Sequence, residues 1–548
     1  MKRKLMIGTL VLFLGIITFS FSERYFNLTK ELDIFSTLFK EVNQLYVDDT
    51  NPGEMMKNAL DEMLAQLDPY TNYIPESEIE DYRFMTTGQY GGVGSLVRKK
   101  GDYVVITEPY EGFPAQMTGL QAGDLILEID GKNVKNKTTD EVSKVLRGQP
   151  GTEVKVLVQR PGSQEPLNFS ITRKEIKVKS VPYYGLVSDS IGYIVLTSFT
   201  EECSKEVKSA FVELKEKYQI KGLILDLRNN PGGLLNESVN ISNLFIEKGQ
   251  EIVSTKGRVQ EWQKSYKGLN QAIDTEIPLV VLVNKGSASA SEIVSGSLQD
   301  LDRAVILGQK TFGKGLVQTT RNLSYNSKLK VTTAKYYIPS GRCIQSLDYS
   351  NRDENGKVKK VADSLMTVFK TKKGRTVKDG GGIIPDLITQ ETKGSKILQT
   401  LDRNLLIFDF VTDYCIRNGK PANFDNVQLT EKDWLDFMMF IKDKDYDYVT
   451  QEEKQITELK TALKEEKMED EVQQEIKQIE MVFSKAHIQA IEKNKEEIMN
   501  AIELELISRY QYQSGKIKLA LQKDKDVKEA ISLLRNTRKM KEILDGKL

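Results

Sequence analysis

Ser289 stands where an apolar run, Leu279 to Val283, gives way through Asn284-Lys285-Gly286-Ser287-Ala288 to a helical pattern. The stretch Ser289-Ala290-Ser291-Glu292 has the form of a capping box, with serine at the N-cap and glutamate three residues on. Two roles share that geometry. As a cap, the hydroxyl satisfies a first-turn amide. As a nucleophile, it has free N–H groups beside it, that of Ala290 among them, at the positive end of a helix dipole, which is what a developing oxyanion requires. A serine hydroxyl attacks only after something takes its proton. The chain has a single histidine, His487, so the base falls to Lys, Asp or Glu. Lys314 follows the next apolar run, Ala304 to Leu307, inside Gly308-Gln309-Lys310-Thr311-Phe312-Gly313-Lys314-Gly315. Consecutive parallel strands of a βαβ unit are neighbours, so their C-terminal ends can bring Ser289 and Lys314 together. Burial there would lower the lysine pKa and leave a neutral amine able to act as base. Gln318 either orients that amine or is an ordinary strand amide. A third element, Leu223-Ile224-Leu225-Asp226-Leu227-Arg228-Asn229-Asn230-Pro231-Gly232-Gly233, is a buried strand running into a glycine turn. Gly232 or Gly233 can supply a second oxyanion N–H beside Ala290, or simply make the turn.

Other chemistries are disfavoured. Gly308 to Lys314 matches the G-x-x-x-x-G-K of a phosphate loop, but Gly315 follows where Ser or Thr must hold magnesium, and Leu316-Val317-Gln318-Thr319-Thr320 reads as a strand where a helix is needed. Cys203, Cys343 and Cys415 are few and far apart, which excludes a disulfide framework and a cysteine-rich zinc site. No metal or cofactor is expected. With 78 Lys and Arg against 78 Asp and Glu, the chain lacks the basic excess that holds a phosphate backbone, so nucleic acid is not an expected partner.

The elements that must position these residues read as α/β. Gly192 to Leu196, Leu223 to Leu227, Leu279 to Val283 and Ala304 to Leu307 alternate with helical patterns at Lys205 to Tyr218, Leu235 to Ile246 and Ser289 to Leu301, which means βαβ crossovers. The 548 residues suit three to four domains at ~150 residues each. Lys2-Arg3-Lys4 precede the apolar run Leu5 to Phe21, an export signal that is either a cleaved peptide or a membrane anchor, with the remainder of the chain facing away from the cytoplasm. Leu32, Phe35, Leu38, Phe39, Val42 and Leu45 repeat at helical spacing, and Asn51-Pro52 opens a second helix, so a helical cap spans 28–82. After Leu387 the chain turns helical and charged, with Val472, Ile476, Ile479 and Phe483 as one apolar stripe and a solvated structural layer as the default for the tail. His487 lies in that tail and reads as a surface residue.

Between cap and core, residues 86–173 form a β-rich module, with strands at Tyr103 to Thr107, Leu125 to Ile129 and Val154 to Gln159 and a helix from Thr139 to Arg147. Tyr90-Gly91-Gly92-Val93-Gly94-Ser95-Leu96 precedes a strand, and Gly119-Leu120-Gln121-Ala122-Gly123-Asp124-Leu125-Ile126 follows at the distance found in a PDZ domain, which this module resembles. PDZ modules hold a peptide C-terminus by strand addition. The resemblance implies that the N–H groups around Gly91, Gly92, Val93 and Gly94 receive the carboxylate, with Leu96, Val142 and Leu146 lining the groove. Arg147 either pairs with the carboxylate or is solvated.

Taken together, Leu67-Asp68-Pro69-Tyr70-Thr71, the PDZ segment, Asn229-Asn230-Pro231-Gly232-Gly233, Gly286 to Ile293, Thr311 to Gln318, Tyr337-Ile338-Pro339-Ser340-Gly341 and Gly382-Ile383-Ile384-Pro385-Asp386 resemble the carboxy-terminal processing, or tail-specific, proteases. The resemblance runs from about Leu32 to Leu387. It implies a βαβ protease core over 176–390 with the PDZ domain inserted before it, a helical extension over 394–548, Ser289 as nucleophile, Lys314 as base, Gln318 as its partner and Ala290 with Gly232 or Gly233 as the oxyanion hole. It further implies protein or peptide substrates with free C-termini and a periplasmic chain, anchored in the inner membrane if residues 5–21 are retained. An adaptor or a second copy would use the C-terminal helices. Tyr70 departs from the histidine usual at its position. The rival reading is a non-catalytic PDZ scaffold on a protease-like fold.

Overall fold

A computed structural model describes residues 25–547 apart from 355, 357, 361, 363, 365, 392–393, 420–426, 445, 447–450 and 467–471, so the apolar segment 5–21 lies outside the described residues. Among those described, no helix is long and apolar enough to cross a membrane. The chain divides into two units: residues up to Ser77 with Gln318–Thr332, and Glu78–Val317 with Thr333 onward.

In the first unit, residues 25–45 form one helix and Pro52–Ala65 the next. Asn51 caps the second, accepting the Glu54 N–H at 3.2 Å, and Pro52 takes the first helical position, where its missing N–H costs nothing. The expected stripe of the first helix forms, yet Leu32, Leu38 and Leu45 are largely exposed in the single chain. Asn72–Ile74 pairs antiparallel with Lys328–Lys330.

The second unit is built on a six-stranded sheet in the order Tyr183–Ser188, Ile191–Val195, Gly222–Asp226, Leu279–Val283, Val305–Gly308, Leu387–Ile388. From Ile191–Val195 onward the strands are parallel. Their unbroken apolar runs follow from burial on both faces. One face carries the helices Cys203–Tyr218, Leu235–Asn243 and Ala290–Asp300 over a core that includes Ile194, Leu225 and Val281. The opposite face, Tyr193, Ile224, Val280 and Leu282, is covered by Val527, Ala530, Leu533 and Leu534 of the helix Lys525–Arg535 and by Met540 and Ile543 of Thr537–Leu544. The end of the tail is therefore the second layer of the core and not the solvated layer expected. A parallel sheet cannot leave one apolar face in water, and these amphipathic helices close it. Residues between Ile397 and Leu519 bury a separate core around Phe410, Trp434 and Phe437. The stripe expected at Val472, Ile476, Ile479 and Phe483 is covered only in part: Ile476 is buried, while Ile479 is exposed.

The PDZ module is a sheet in the order Ser95–Lys100, Tyr103–Pro109, Leu125–Ile129, Glu153–Gln159, Leu167–Thr172, with Lys132–Asn133 added to the third strand. Its helix, Thr139–Leu146, opens on a capping box between Thr138 and Glu141. The module leans on the C-terminal helices: Val105 packs with Leu405 and Phe408, and Lys100 pairs with Asp409 at 2.7 Å.

If the tail closes the sheet, Leu533→Ala costs about 2 to 5 kcal/mol of stability, and truncating exposed Met439 to Ala costs within ~0.5 kcal/mol. Thermal melts of both variants test this. Equal, small shifts would mean that the sheet's second face does not depend on the tail.

Candidate active site

The parallel pairing of Leu279–Val283 with Val305–Gly308 puts the loops after both strands at one edge of the sheet, as their order required. Ser289 ends the first loop at φ +54° and ψ −111°. A residue with a side chain is held there at a cost of ~1–3 kcal/mol, which surrounding structure must offset. Ser289 is the N-cap of Ala290–Asp300, but its hydroxyl makes no cap hydrogen bond: the Glu292 N–H donates to the Ser289 carbonyl at 2.8 Å. The Ala290 N–H, in the first helical turn, has no intrahelical acceptor.

Glu292 is the residue whose larger role the sequence concealed. Its side chain is fully buried, and its two oxygens accept four hydrogen bonds. Oε2 takes the backbone N–H of Ser289 at 2.8 Å and that of Lys314 at 2.9 Å. Oε1 takes the Thr311 hydroxyl at 2.5 Å and the Gly313 N–H at 2.7 Å. One carboxylate thus ties the loop carrying Ser289 to the loop carrying Lys314. Burial pushes its carboxyl up to about 7, against the pull of these four donors. Tyr336, also buried, donates to the Ser289 carbonyl at 3.2 Å, and burial beside Glu292 raises its phenol.

The glycine turn is stitched to the same loop. Ser287 Oγ donates to the Leu227 carbonyl at 2.8 Å, and the Asn230 carbonyl accepts both the Ala288 N–H at 3.0 Å and Ser291 Oγ at 2.9 Å. Asn229 and Asn284 exchange hydrogen bonds, Asn229 N–H to Asn284 Oδ1 at 2.8 Å and Asn284 Nδ2 to Asn229 Oδ1 at 2.9 Å. Gly232, at φ +99°, is pressed on the serine: a Cβ there would lie 2.9 Å from both Ser289 Cβ and the Ala290 nitrogen. Its own N–H is occupied, donating to Asn230 Oδ1 at 2.9 Å. Of the two glycines expected to offer an amide, Gly232 is therefore committed within its turn.

Ser289, Ala290, Gly232, Gly233 and Lys314 belong to the second unit. Gln318 belongs to the first, where its Nε2 donates to Thr332 Oγ1 at 3.2 Å. The segment after Gly315 is the strand Leu316–Asn322, as the rejection of a phosphate loop required. Among the described residues no cluster of three His, Cys, Asp or Glu is placed to hold a metal ion. His487 lies in the helix Gln473–Lys493.

The PDZ groove, about 210 Å³, is lined by Phe84, Tyr90, Val93, Gly94, Ser95, Leu96, Val97, Tyr110, Ser143, Leu146 and Arg147. Gly91 and Gly92 do not line it. They sit in the strand Gln89–Gly92, paired with Lys174–Lys177, because a Cβ at Gly91 would strike the Gly148 carbonyl at 2.1 Å and one at Gly92 the Tyr90 ring at 2.8 Å. Val142 points into the module's core, while Leu146 reaches the groove. Val93 C=O accepts the Ala115 N–H at 2.8 Å, so across the trans peptide the Gly94 N–H faces the other way. Ser95 Oγ is buried without a partner among the described residues. Arg147 is half-buried: it pairs with Asp81 and lies over the rings of Phe84 and Tyr90, at 5.8 and 5.2 Å. Burial lifts the Tyr90 phenol to about 12, with Arg147 opposing.

Residues 190–349 match the model of peptidase family S41, 105–160 that of the PDZ domain, and 397–534 that described as "Probable PDZ-protease, C-terminal helical domain". A "Carboxy-terminal-processing protease" of Bartonella bacilliformis is 40% identical over 324 residues, 59% of this chain and 74% of that protein. A "Probable CtpA-like serine protease" of Staphylococcus aureus is 40% identical over 316 residues, 57% of this chain and 62% of that one. The solved photosystem II D1 C-terminal processing protease is 28% identical, covering 65% of this chain and 88% of its own, at a TM-score of 0.35.

The raised carboxyl of Glu292 has a signed consequence. A native pKa of about 7 against 4.5 means that Glu292 contributes stability below pH 4.5 that is lost as pH rises through 7, on the order of 3 kcal/mol. The melting-temperature advantage of the parent over Glu292→Gln, which does not titrate, is expected to shrink from pH 5 to pH 8. An advantage that widens with pH would show the four donors outweighing burial.

Proposed function

This chain belongs to the family of carboxy-terminal-processing proteases, which are serine-type peptidases, and on that premise we propose that it is an exported endopeptidase that cuts proteins near their C-termini with a Ser289–Lys314 dyad. The observation that carries the reading is the shared acceptor: Glu292 Oε2 holds the backbone amides of both residues. Lys314 as neutral amine takes the proton of Ser289 Oγ as the oxygen attacks the scissile carbonyl. The oxyanion that forms meets the N–H of Ala290 and, from the glycine turn, that of Gly233. The Lys314 ammonium returns its proton to the leaving amine; in the second half the same amine takes a proton from the water that attacks the acyl-enzyme and gives it to Ser289 Oγ as the ester bond breaks. Gln318 is assigned as the partner of the lysine amine. The strained backbone of Ser289 supports the reading, since a plain helix cap has no need of it.

Selection of the substrate is assigned to the PDZ groove. The Gly94 N–H and the unpartnered Ser95 hydroxyl are the polar groups offered to a C-terminal carboxylate, and Leu96 and Leu146 flank the last side chain. Lys2-Arg3-Lys4 before the apolar run 5–21 supports export to the periplasm with retention at the inner membrane. The helices after Lys393 are the surface assigned to an adaptor or a second copy.

The test uses protein lacking residues 1–22 and unstructured peptides. Ser289→Ala and Lys314→Arg, whose guanidinium does not deprotonate, are expected to abolish cleavage while the fold persists, and His487→Ala to leave it intact. Turnover by Lys314→Arg would assign the proton to another group. Amidating the peptide C-terminus is expected to raise KM. Equal cleavage of amide and free acid would remove the carboxylate from recognition.

A further inference from the structure

The helix that closes the sheet begins beside the turn that touches the serine. Asp524 is the N-cap of Lys525–Arg535, and its Oδ1 accepts the Val527 N–H at 3.0 Å. Its other oxygen, Oδ2, accepts Arg228 Nη2 at 2.8 Å, and Asp526 Oδ2, in the first turn of the same helix, accepts Arg228 Nη1 at 3.2 Å. Arg228 itself is the second residue of the turn 227–233. Asp226, buried at the end of the strand before it, accepts the Arg228 backbone N–H at 2.9 Å on Oδ1 and Nη2 at 2.6 Å on Oδ2, and Tyr193 Oη donates to that same Oδ2 at 2.7 Å. One guanidinium thus spans three carboxylates, two of them supplied by the tail.

Asp226 and Arg228 already balance each other's charge, so the two tail carboxylates are not needed for neutrality. What they add is direction. A guanidinium is a rigid planar fork, and holding it from the strand side by Asp226 and from the outer side by Asp524 and Asp526 leaves it one orientation. The guanidinium and both tail carboxylates are half-buried, so salt screens these pairs less than pairs on the surface. The main chain follows the side chain here, because Asp226 grips the Arg228 N–H and its guanidinium at once. Past Arg228 the turn is the wall of the serine loop. The Leu227 carbonyl accepts Ser287 Oγ, the Asn230 carbonyl accepts the Ala288 N–H and Ser291 Oγ, and Gly232 is pressed on Ser289. Ser289 is held at a strained φ of +54°, and a wall that yields lets it relax.

We infer that Asp524 and Asp526, acting through Arg228, hold the turn 227–233 against the serine loop, so that the C-terminal tail is a working part of the active site as well as the cover of the sheet. The inference rests on Ser289 being the nucleophile, as proposed above. Neither carboxylate touches substrate. They are positioning residues, and what they position is the backbone that sets the angle at which Ser289 Oγ meets a carbonyl. Misplacing that backbone slows the attack and leaves the affinity for peptide where it was.

The test measures kcat and KM on a cleavable peptide, and the rate at which a fluorophosphonate labels the serine, with every rate divided by the folded fraction read from a thermal melt. In the double variant Asp524→Asn with Asp526→Asn, asparagine keeps the cap oxygen and the shape, but it removes the charge and turns an NH₂ group toward the guanidinium. This variant is expected to lose about tenfold in kcat and in labelling rate at unchanged KM. Arg228→Lys, whose single ammonium cannot span three carboxylates, is expected to show the same split. Asp526→Asn alone leaves the cap untouched and is expected to show it at about threefold, which keeps the test decisive if the double variant does not fold. Glu529→Gln removes a carboxylate from the same helix at an exposed site, 3.9 Å from Lys539, and is expected to match the parent. The inference is overturned if the aspartate variants keep the parent's kcat and labelling rate, if only KM moves, or if Glu529→Gln is impaired alike. Cleavage or labelling that survives in Ser289→Ala would instead overturn the assignment of Ser289, and the inference with it.

Discussion

A carboxylate sealed from water must have every lone pair answered, and in this molecule the answering is done by the backbone of two loops. Glu292 stands on the first turn of Ala290–Asp300, and its four donors come from Ser289, Thr311, Gly313 and Lys314. Moving either loop away would strand bonds of this set in a dry site, at about 1 to 3 kcal/mol for each group left unsatisfied. The strain at Ser289 is of that same order, so the carboxylate is sufficient to hold the serine in a conformation it would not choose. Thr311 extends the restraint: its hydroxyl donates to Glu292 and accepts the Ile383 N–H at 2.7 Å, which brings the Gly382-Ile383-Ile384-Pro385-Asp386 motif into the same framework.

The far end of the serine helix is held just as firmly. Asp300 accepts Arg342 at 2.8 Å and the Ser340 N–H at 3.0 Å, and Asp386 accepts Gln299 Nε2 at 2.9 Å and the Ile306 N–H at 2.8 Å. Two stretches that carried the family resemblance, Tyr337 to Gly341 and Gly382 to Asp386, thus hold the end of the helix opposite to Ser289. The glycine turn has its own anchor. Asp226, the last residue of its strand, takes Tyr193 Oη at 2.7 Å and Arg228 Nη2 at 2.6 Å, and Arg228 reaches on to Asp524 at 2.8 Å and Asp526 at 3.2 Å. The C-terminal helices therefore do more than cover the sheet, since they complete an ion cluster at the root of the turn that contacts the serine.

How much of this was legible in the sequence depends on whether a residue has one role or two. The strands were legible because a doubly buried parallel strand is an unbroken apolar run, and Leu279–Val283 falls where the pattern put it. Ser289 and Lys314 were singled out because a strand end is where chemistry can be placed, and what the structure adds is that Glu292 ties their two loops together. Glu292 was read only as half of a capping box, and nothing in S-x-x-E says that the same oxygens also hold the loop after the next strand. Gly91 and Gly92 misled for the opposite reason. A glycine run suits a free loop and a crowded strand equally, and the nearby Gly148 carbonyl and Tyr90 ring that decide between them come from tertiary packing. Arg147 was assigned to a ligand or to water, and what the sequence did not disclose is its pairing with Asp81 and its place over two rings. The tail was underestimated because the need it meets, the open face of a sheet, belongs to residues far earlier in the chain.

The turn at Gly232 shows what close approach demands of the groups around it. Its Cα lies so near the serine that no side chain fits, which is why glycine stands there, and its N–H is taken by Asn230 Oδ1. Asn230 is itself fully buried and spends its Nδ2 on the Leu196 carbonyl at 2.8 Å, so its oxygen is fixed. The next residue is placed differently. Gly233 forms a parallel bridge with Phe199, in which Phe199 donates to the Gly232 carbonyl and the Leu234 N–H donates to Phe199. In such a bridge the N–H of the middle residue points away from the partner strand. Gly233 is at φ +148°, and a Cβ would strike the Phe199 carbonyl at 2.4 Å, so it too must be glycine. Two adjacent glycines are therefore required for different reasons, Gly232 because the turn touches the serine and Gly233 because it presses on Phe199, and the Gly233 N–H points away from that bridge.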